Sequence, residues 1–87
     1  SSVTARNTAS QEILADVLLL ETSLLRQNSQ LRGFLVTADQ SYLKSYYEGR
    51  DDYDEASRQL ETALAGSPLA EKVRVSRAET LKWRRDW

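Results

Sequence analysis

Residues 13–34 read ILADVLLLETSLLRQNSQLRGF, a segment in which apolar side chains recur at steps of four and three residues. This spacing places a row of apolar side chains along one face of an α-helix. A second row lies beside the first, and together they form a stripe wide enough to contact more than one helix. The first row is Ile13, Val17, Leu20, Leu24, Leu31 and Phe34, and the second is Leu14, Leu18, Leu25 and Leu35.

The same period, followed in both directions, predicts a first helix from about Thr4 to Val36. Two amide side chains, Gln27 and Asn28, fall where the rows should be apolar. One interpretation is a polar position at the surface edge or a buried amide that sets the register of the helices. The other is a polar floor for a small ligand.

The segment from Thr37 to Gln40 predicts a corner, and Asp39 is suited to cap the helix that follows. A second helix is expected from Gln40 to about Ala65, with Gly49 in its apolar seam. Gly is unfavourable there by up to about 1 kcal/mol relative to Ala, which a close helix approach or room for an aromatic ring would offset. The seam consists of Tyr42, Tyr46, Tyr53, Ala56, Leu60 and Ala63.

Residues 65–68, Ala-Gly-Ser-Pro, form the clearest turn signal in the chain. Gly66 suits a left-handed helix stop, Ser67 a start cap and Pro68 the first helical position. A third helix is therefore expected from Pro68 to the end of the chain. Its apolar stripe consists of Leu69, Val73, Thr80, Trp83 and Trp87.

The predicted fold is all-α, an antiparallel up-down helical bundle in a single domain over residues 1–87. Only 3 Gly and 1 Pro among 87 residues favour a few long helices over many short strands. Three helices with two-row stripes leave an unfilled groove. We therefore expect completion to a four-helix bundle, with the fourth helix supplied by missing chain or by another protomer. Since the chain contains no Met, we expect it to be part of a longer protein.

The composition argues against an enzyme and against a cofactor or metal site. There is no His and no Cys, so the usual transition-metal ligands and histidine-activated nucleophiles are missing. A net charge of −1 gives no general attraction to nucleic acid. The charged groups are expected to form solvated helix surfaces. These groups are Asp51, Asp52, Asp54 and Glu55 on the second helix and Lys72, Arg74, Arg77, Lys82, Arg84 and Arg85 on the third.

The corner carries a motif. Residues 32–39 read RGFLVTAD, followed by Tyr42, Leu43 and Tyr46. This motif resembles the third class of CHASE-type sensor domains, the cyclase/histidine-kinase associated sensory extracellular domains. That class typically carries Arg-Gly-Tyr-Leu-Leu-Thr-Gly-Asp, then Tyr-Leu and a further Tyr. The chain departs from it at Phe34, Val36 and Ala38. Residues 28–30, Asn-Ser-Gln, also stand where the family often has Glu-Thr-Gly.

The resemblance implies a four-helix bundle between two membrane spans, on the periplasmic or extracellular side of the bacterial cytoplasmic membrane. Its signal would pass to a cytoplasmic histidine kinase, a cyclase or a chemoreceptor domain. From this we expect an extracytoplasmic sensory input domain of a histidine kinase, acting as a homodimer and binding no nucleic acid. The stimulus is a small ligand or a periplasmic protein that the sequence does not identify.

Alternatives to a kinase sensor are a chemoreceptor four-helix ligand-binding domain and a purely structural helical dimerisation module. A cytosolic adaptor is a further alternative. The first of these shares the bundle layout, and the second needs only the apolar rows. A tight dimer that binds no small molecule would favour the dimerisation module. A parent gene with no hydrophobic span before Ser1 would favour the adaptor.

Candidate ligand or signalling residues are few. Arg32 either covers core surface and bonds corner carbonyls or Asp39, or clamps an anion. The tyrosines of the second helix are either core packing or a ligand box. The candidate ligand or signalling residues are Gln27, Asn28, Arg32 and Tyr46, and the corner motif consists of Arg32, Gly33, Phe34, Thr37, Asp39 and Tyr42.

Overall fold

The computed structural model of the chain describes the backbone of residues 2–86 and the side chains of residues 8–86. It contains three helices: α1, Ser2–Thr37; α2, Gln40–Ala63; and α3, Pro68–Arg85. No strand occurs within residues 2–86, which confirms the all-α prediction. Within the same residues, no helix combines the length and the apolar character needed to cross a bilayer.

The first helix ends at a left-handed residue. Ala38 has a φ of 57°, and its N–H donates to the carbonyl of Phe34 at 2.7 Å. The hydroxyl of Thr37 donates back to the carbonyl of Gly33 at 2.7 Å and accepts from the N–H of Asp39 at 3.1 Å. These bonds satisfy groups that a helix end leaves free, so the chain can reverse direction within two residues.

Asp39 caps α2, as the sequence predicts. Its Oδ1 accepts from the backbone N–H of Ser41 at 2.9 Å and from the Ser41 hydroxyl at 2.8 Å. Both bonds favour the ionised carboxylate, so they hold the pKa of Asp39 below its usual value. The corner is therefore built entirely from residues of the predicted motif and its immediate neighbour.

The second turn begins two residues earlier than predicted. The sequence places the end of the second helix at Ala65, whereas α2 ends at Ala63. The reason is a tightened last turn, in which the N–H of Ala65 bonds to the carbonyl of Thr62 at 3.3 Å. Gly66 then takes a φ of 84°. Ser67 caps α3 by accepting from the N–H of Leu69 at 3.2 Å.

The third helix is also shorter than predicted. The described part of α3 ends at Arg85, and Asp86 is its C-cap. The side chain of the predicted stripe residue Trp87 lies outside the described residues. Within the stripe, Thr80 is buried, whereas Leu69 is 51% exposed.

The second helix is the centre of the bundle, with α1 and α3 packed antiparallel against it. No described Cα atom of α3 lies within 8 Å of one in α1. The three helices therefore form a flat layer, with principal extents of 52 × 23 × 13 Å. The buried apolar core consists of Leu31, Tyr46, Tyr53, Ala56 and Leu60.

The two apolar rows of α1 have different surroundings. The first row is buried or half-buried from Ile13 to Phe34. The sequence pattern predicts that the second row packs against a further helix, but within residues 8–86 this row lies at the surface. Its members Leu14, Leu18, Leu25 and Leu35 are all more than half exposed.

Candidate functional site: a buried polar layer

A layer of polar side chains crosses the bundle where all three helices meet. We define this polar layer as Gln27 of α1, Tyr53 and Asp54 of α2, and Thr80 and Arg84 of α3. Polar groups at such depth are tolerated only when they bond to one another or to the backbone. The partners that they find therefore show what the layer holds together.

The guanidinium of Arg84 is the centre of the layer, and its side chain is only 7% exposed. Its Nε donates to Oε1 of Gln27 at 3.1 Å, and its Nη1 donates to Oδ2 of Asp54 at 3.3 Å. The guanidinium carbon also lies 5.6 Å from the ring centroid of Tyr53, within cation–π range. One side chain of α3 thus contacts both other helices.

Gln27 is completely buried, and both ends of its amide are used. While Oε1 accepts from Arg84, Nε2 donates to the carbonyl of Ser23 one turn earlier at 3.3 Å. The polar interruption of the apolar rows is therefore a buried amide that ties α1 to α3.

Gly49 of α2 allows this burial. A Cβ added at Gly49 would lie 3.3 Å from the carbonyl oxygen of Ser23 and 3.4 Å from Cγ of Gln27. These distances are tighter than most real Cβ contacts, so a side chain here would push α2 away from α1. Of the two explanations that the sequence offers for Gly49, the structure therefore supports the close approach of two helices.

A second set of bonds closes the layer between α2 and α3. The hydroxyl of Thr80 donates to the hydroxyl of Tyr53 at 2.9 Å. The Tyr53 hydroxyl also lies 3.3 Å from the hydroxyl of Ser76. Because Tyr53 is only 1% exposed, water does not provide these bonds in their place.

The ion pair within the layer is close but imperfectly aligned. Nη2 of Arg84 and Oδ1 of Asp54 are 2.9 Å apart. Nevertheless, neither atom has a hydrogen-bond partner, and both are buried. The pair is therefore an electrostatic contact and not a hydrogen bond, since a short distance without alignment does not make one. A buried pair of this kind adds little net stability, but losing one partner is costly.

A surface ionic cluster flanks the polar layer on the α1–α2 side. Arg26 donates to the hydroxyl of Ser45 at 3.0 Å and to the carboxylate of Glu48 at 2.6 Å. It also lies 3.8 Å from the carboxylate of Asp52. These groups are partly exposed, so the cluster fixes register more than it adds stability.

Of the four candidate ligand or signalling residues, only Gln27 belongs to the polar layer. Asn28 is exposed and donates to the carbonyl of Leu24 at 3.2 Å. Arg32 is exposed, and no hydrogen bond or ion pair joins it to Asp39 within the described residues. Tyr46 is buried, and its ring meets that of Tyr47 edge-on, with centroids 5.2 Å apart.

The corner motif has a steric explanation. A Cβ added at Gly33 would lie 2.5 Å from Cδ1 of Tyr42, so the absence of a side chain makes room for the tyrosine ring. Phe34 supplies the carbonyl that ends α1, and Thr37 and Asp39 make the bonds of the turn. The guanidinium of Arg32 takes no part in these bonds.

Arg84 and Asp54 belong to the polar layer, although nothing in the sequence pattern singled them out. The charge pattern predicts solvated surfaces for both residues, but the Arg84 side chain is nearly buried and Asp54 is its partner. The available signal was position, since Arg84 follows Thr80 of the predicted stripe by one helical turn. A charged residue at such a position requires a partner on a facing helix.

The described residues also form an open groove of about 800 Å³ between the N-terminal half of α1 and the C-terminal half of α2. It is lined by Ala9, Ile13 and Asp16 on one side and by Arg58, Gln59 and Thr62 on the other. None of the four candidate residues lines it. Within the described residues, no three carboxylates are grouped closely enough to hold a metal ion.

The fold and the polar layer define a small all-α bundle whose helices are joined by a central charged side chain. The family model described as the CHASE3 domain matches residues 3–85. The chain therefore belongs to the CHASE3 domain family, a family of sensory domains found in signalling receptors. No curated protein and no solved structure matches the chain.

Proposed function

We propose that this sensory domain is the extracytoplasmic input module of a bacterial membrane-bound receptor whose output is a histidine kinase. Membership of the CHASE3 family is the observation that carries the proposal, because CHASE3 domains are extracellular sensor modules of receptors. The chain itself carries no chemistry in this proposal. It perceives a small ligand or a periplasmic protein and passes the signal on through its helices.

The polar layer supplies a mechanism for this role. Arg84 contacts both Gln27 and Asp54, so a shift of α3 along α2 must also change the surroundings of α1. Two buried atoms of the Arg84–Asp54 pair lack hydrogen-bond partners, so a second packing that satisfies them offsets part of the cost of leaving this one. Signalling by helix sliding or rotation needs two such packings within a few kcal/mol of each other.

Cysteine labelling tests the location. The chain has no Cys, so a single Cys replacing the exposed Glu55 provides one labelling position in the domain. The test uses the full-length receptor, with its other accessible cysteines replaced, in intact cells. We expect a membrane-impermeant maleimide to label the Glu55→Cys receptor before lysis. A Cys in the predicted kinase domain is the control and should react only after lysis.

Labelling of position 55 only after lysis would place the domain in the cytoplasm and overturn the proposal. The kinase output is tested separately, by autophosphorylation of the receptor in membranes. We expect Arg84→Met to change the basal level at least twofold, whereas Arg85→Met, at an exposed neighbouring position, leaves it unchanged. Equal phosphorylation by both variants would contradict a role of the polar layer in signalling.

A further inference from the structure

The outward face of α1 carries a seam of leucine and small side chains that does not contact the other helices. Leu25 is 68% exposed and Leu18 is 52% exposed, although both lie in the middle of a long helix. Together with Ala15, Thr22 and Ser29, which are also exposed, they recur at steps of three and four residues. We define these five residues as the outer seam.

The outer seam lies directly opposite the bundle core. At 3.6 residues per turn, Leu18 lies about 180° and Leu25 about 160° around the helix from the buried Gln27. Val17 and Leu24 are half-buried and lie about 60–80° from Gln27 on the flank away from Arg26. A fourth helix filling the space between α1 and α3 would cover Val17 and Leu24, so the outer seam would stay free.

The outer seam has the heptad pattern of a coiled coil. The small residues Ala15, Thr22 and Ser29 occupy the a positions, and Leu18 and Leu25 occupy the d positions. Small a residues let two helices approach closely, and Leu at d packs well in a two-stranded parallel coil. No charged residue interrupts the seam between residues 15 and 29, a length of about 21 Å at 1.5 Å per residue.

The flanking residues select both the partner and its direction. In a parallel, in-register pair, a g residue faces the e residue five positions later on the partner helix. Leu14 then meets the partner's Leu19, and Glu21 meets the partner's Arg26. Leu14 is 59% exposed and Leu19 is 39% exposed, so both are available for this contact. Arg26 is 38% exposed in its surface cluster, so its guanidinium can donate to a further carboxylate.

An antiparallel pair fits these residues less well. There g faces g and e faces e, so Glu21 would meet another Glu21, Leu14 or Asn28 and never Arg26. Leu19 would face Arg26 or another Leu19. Both the charged and the apolar contacts therefore favour the parallel, in-register pair.

We infer that the outer seam of α1 is a homodimer interface at which two copies of this chain pack parallel and in register. This interface goes beyond the proposed function, since it adds a surface and an orientation to the sensory domain. Two heptads make a small interface, so the dimer is weak and concentration-dependent in solution.

Disulfide cross-linking tests the arrangement in the purified 87-residue chain, which has no Cys of its own. The variants Leu18→Cys and Leu25→Cys each place one thiol at a d position. In a parallel, in-register pair, each thiol faces its own copy at a distance that a disulfide can span. Leu69→Cys is the matched control, because Leu69 is 51% exposed on α3 and far from the outer seam.

We expect both seam variants to form dimers on mild oxidation at least fivefold faster than Leu69→Cys. Circular dichroism of all three variants should match that of the original chain, since each change is at an exposed site. Cross-linking at only one seam position would indicate an antiparallel pair and overturn the inference. Equal rates for all three variants would also overturn it, because they would show random collisions only.

Charge reversal gives an independent readout. Glu21→Lys sets two cations against each other at the g–e contact, so we expect at least a threefold weaker dimer by sedimentation equilibrium at low salt. Glu55→Lys makes the same charge change at an exposed position on α2 and should leave the dimer unchanged. Equal weakening by both variants would show a net-charge effect and contradict the assigned contact.

Discussion

Arg84 donates its Nε–H to Oε1 of Gln27 across 3.1 Å, although the two residues lie 57 positions apart. The bond joins α3 to α1, two helices whose described Cα atoms do not approach within 8 Å of each other. The same guanidinium binds Asp54 of α2. A single side chain therefore contributes to the relative position of all three helices, and its removal affects each of them.

We expect Arg84→Met to lower the free energy of unfolding by about 2 kcal/mol. Losing one partner of a fully buried pair costs about 3–5 kcal/mol, and Asp54 is 36% exposed, which reduces the cost. Urea unfolding measures the difference. Arg85→Met is the control and should stay within about 0.5 kcal/mol of the original chain. An Arg84→Met chain as stable as the control would show that Gln27 and Asp54 do not depend on Arg84.

The hydroxyl of Tyr53 is buried between the hydroxyls of Ser76 and Thr80 of α3, so its removal should lower the free energy of unfolding. We expect Tyr53→Phe to cost about 1 kcal/mol, because it leaves the Thr80 hydroxyl without its partner. Tyr47→Phe, at a half-exposed ring, should cost nothing measurable. In the double variant with Thr80→Val, the two losses should be less than additive. Additive losses would argue against the bond.

Gly33 is a position where helix propensity and packing oppose each other. Propensity alone favours Ala by up to about 1 kcal/mol. Because the added Cβ would lie 2.5 Å from the ring of Tyr42, we expect Gly33→Ala to destabilise the chain by about 1–2 kcal/mol. In a Tyr42→Ala background, the same change should become neutral or stabilising. Thermal unfolding of the four chains distinguishes these cases, and equal effects in both backgrounds would exclude the ring as the cause.

Ala38 adopts a backbone conformation that Gly takes more readily, with a φ of 57°. We expect Ala38→Gly to stabilise the chain by up to about 1 kcal/mol, since a left-handed conformation costs a non-glycine residue about 1–2 kcal/mol. The control is Ala78→Gly in the exposed part of α3, which should destabilise by about 1 kcal/mol. Changes of the same sign at both sites would contradict the difference in backbone conformation.

The pKa of Asp39 is lowered by its bonds from Ser41, which links the corner to acid stability. A lowered folded pKa means that the stabilisation is present above the unfolded pKa and is lost as pH falls through the folded pKa. We therefore expect the stability gap between the original chain and Asp39→Asn to close below about pH 4. The pKa of Glu71 is also lowered, because its carboxylate accepts hydrogen bonds from Arg74. Glu71 is present in both chains of this comparison, so the same gap measured in a Glu71→Gln background should close in the same way. A gap independent of pH would contradict the role of Asp39.

Most of the fold could be predicted from the sequence, because helix periods and caps are local. Asp39, Ser67 and Pro68 occupy the positions at which their chemistry starts a helix, and the apolar row from Ile13 to Phe34 faces α2. The predicted end of α2 is two residues too late. The tightened last turn depends on backbone hydrogen bonds, which the side-chain pattern does not indicate.

The candidate site was harder to predict, because its residues lie on three different helices. Gln27 was recognised as an interruption of an apolar row, but its partner Arg84 was placed on the surface. The bond between Gln27 and Arg84 depends on how α3 is rotated about its own axis. The apolar stripe of α3 is short and ends in two tryptophans, so it does not determine that rotation. The corner motif makes Arg32 a candidate ligand residue, yet its side chain is exposed to solvent.

The flat arrangement of the helices has a consequence for how the chain opens. The third helix packs less extensively on α2 than α1 does. It is attached to α2 by a four-residue turn, and Arg84 joins its far end to both other helices. In native-state hydrogen exchange, segments with few buried contacts exchange through partial unfolding, at a lower free energy than the rest of the chain. Amide protons of α3 should therefore exchange together and ahead of those in the α1–α2 hairpin, which keeps its own buried contacts when α3 detaches.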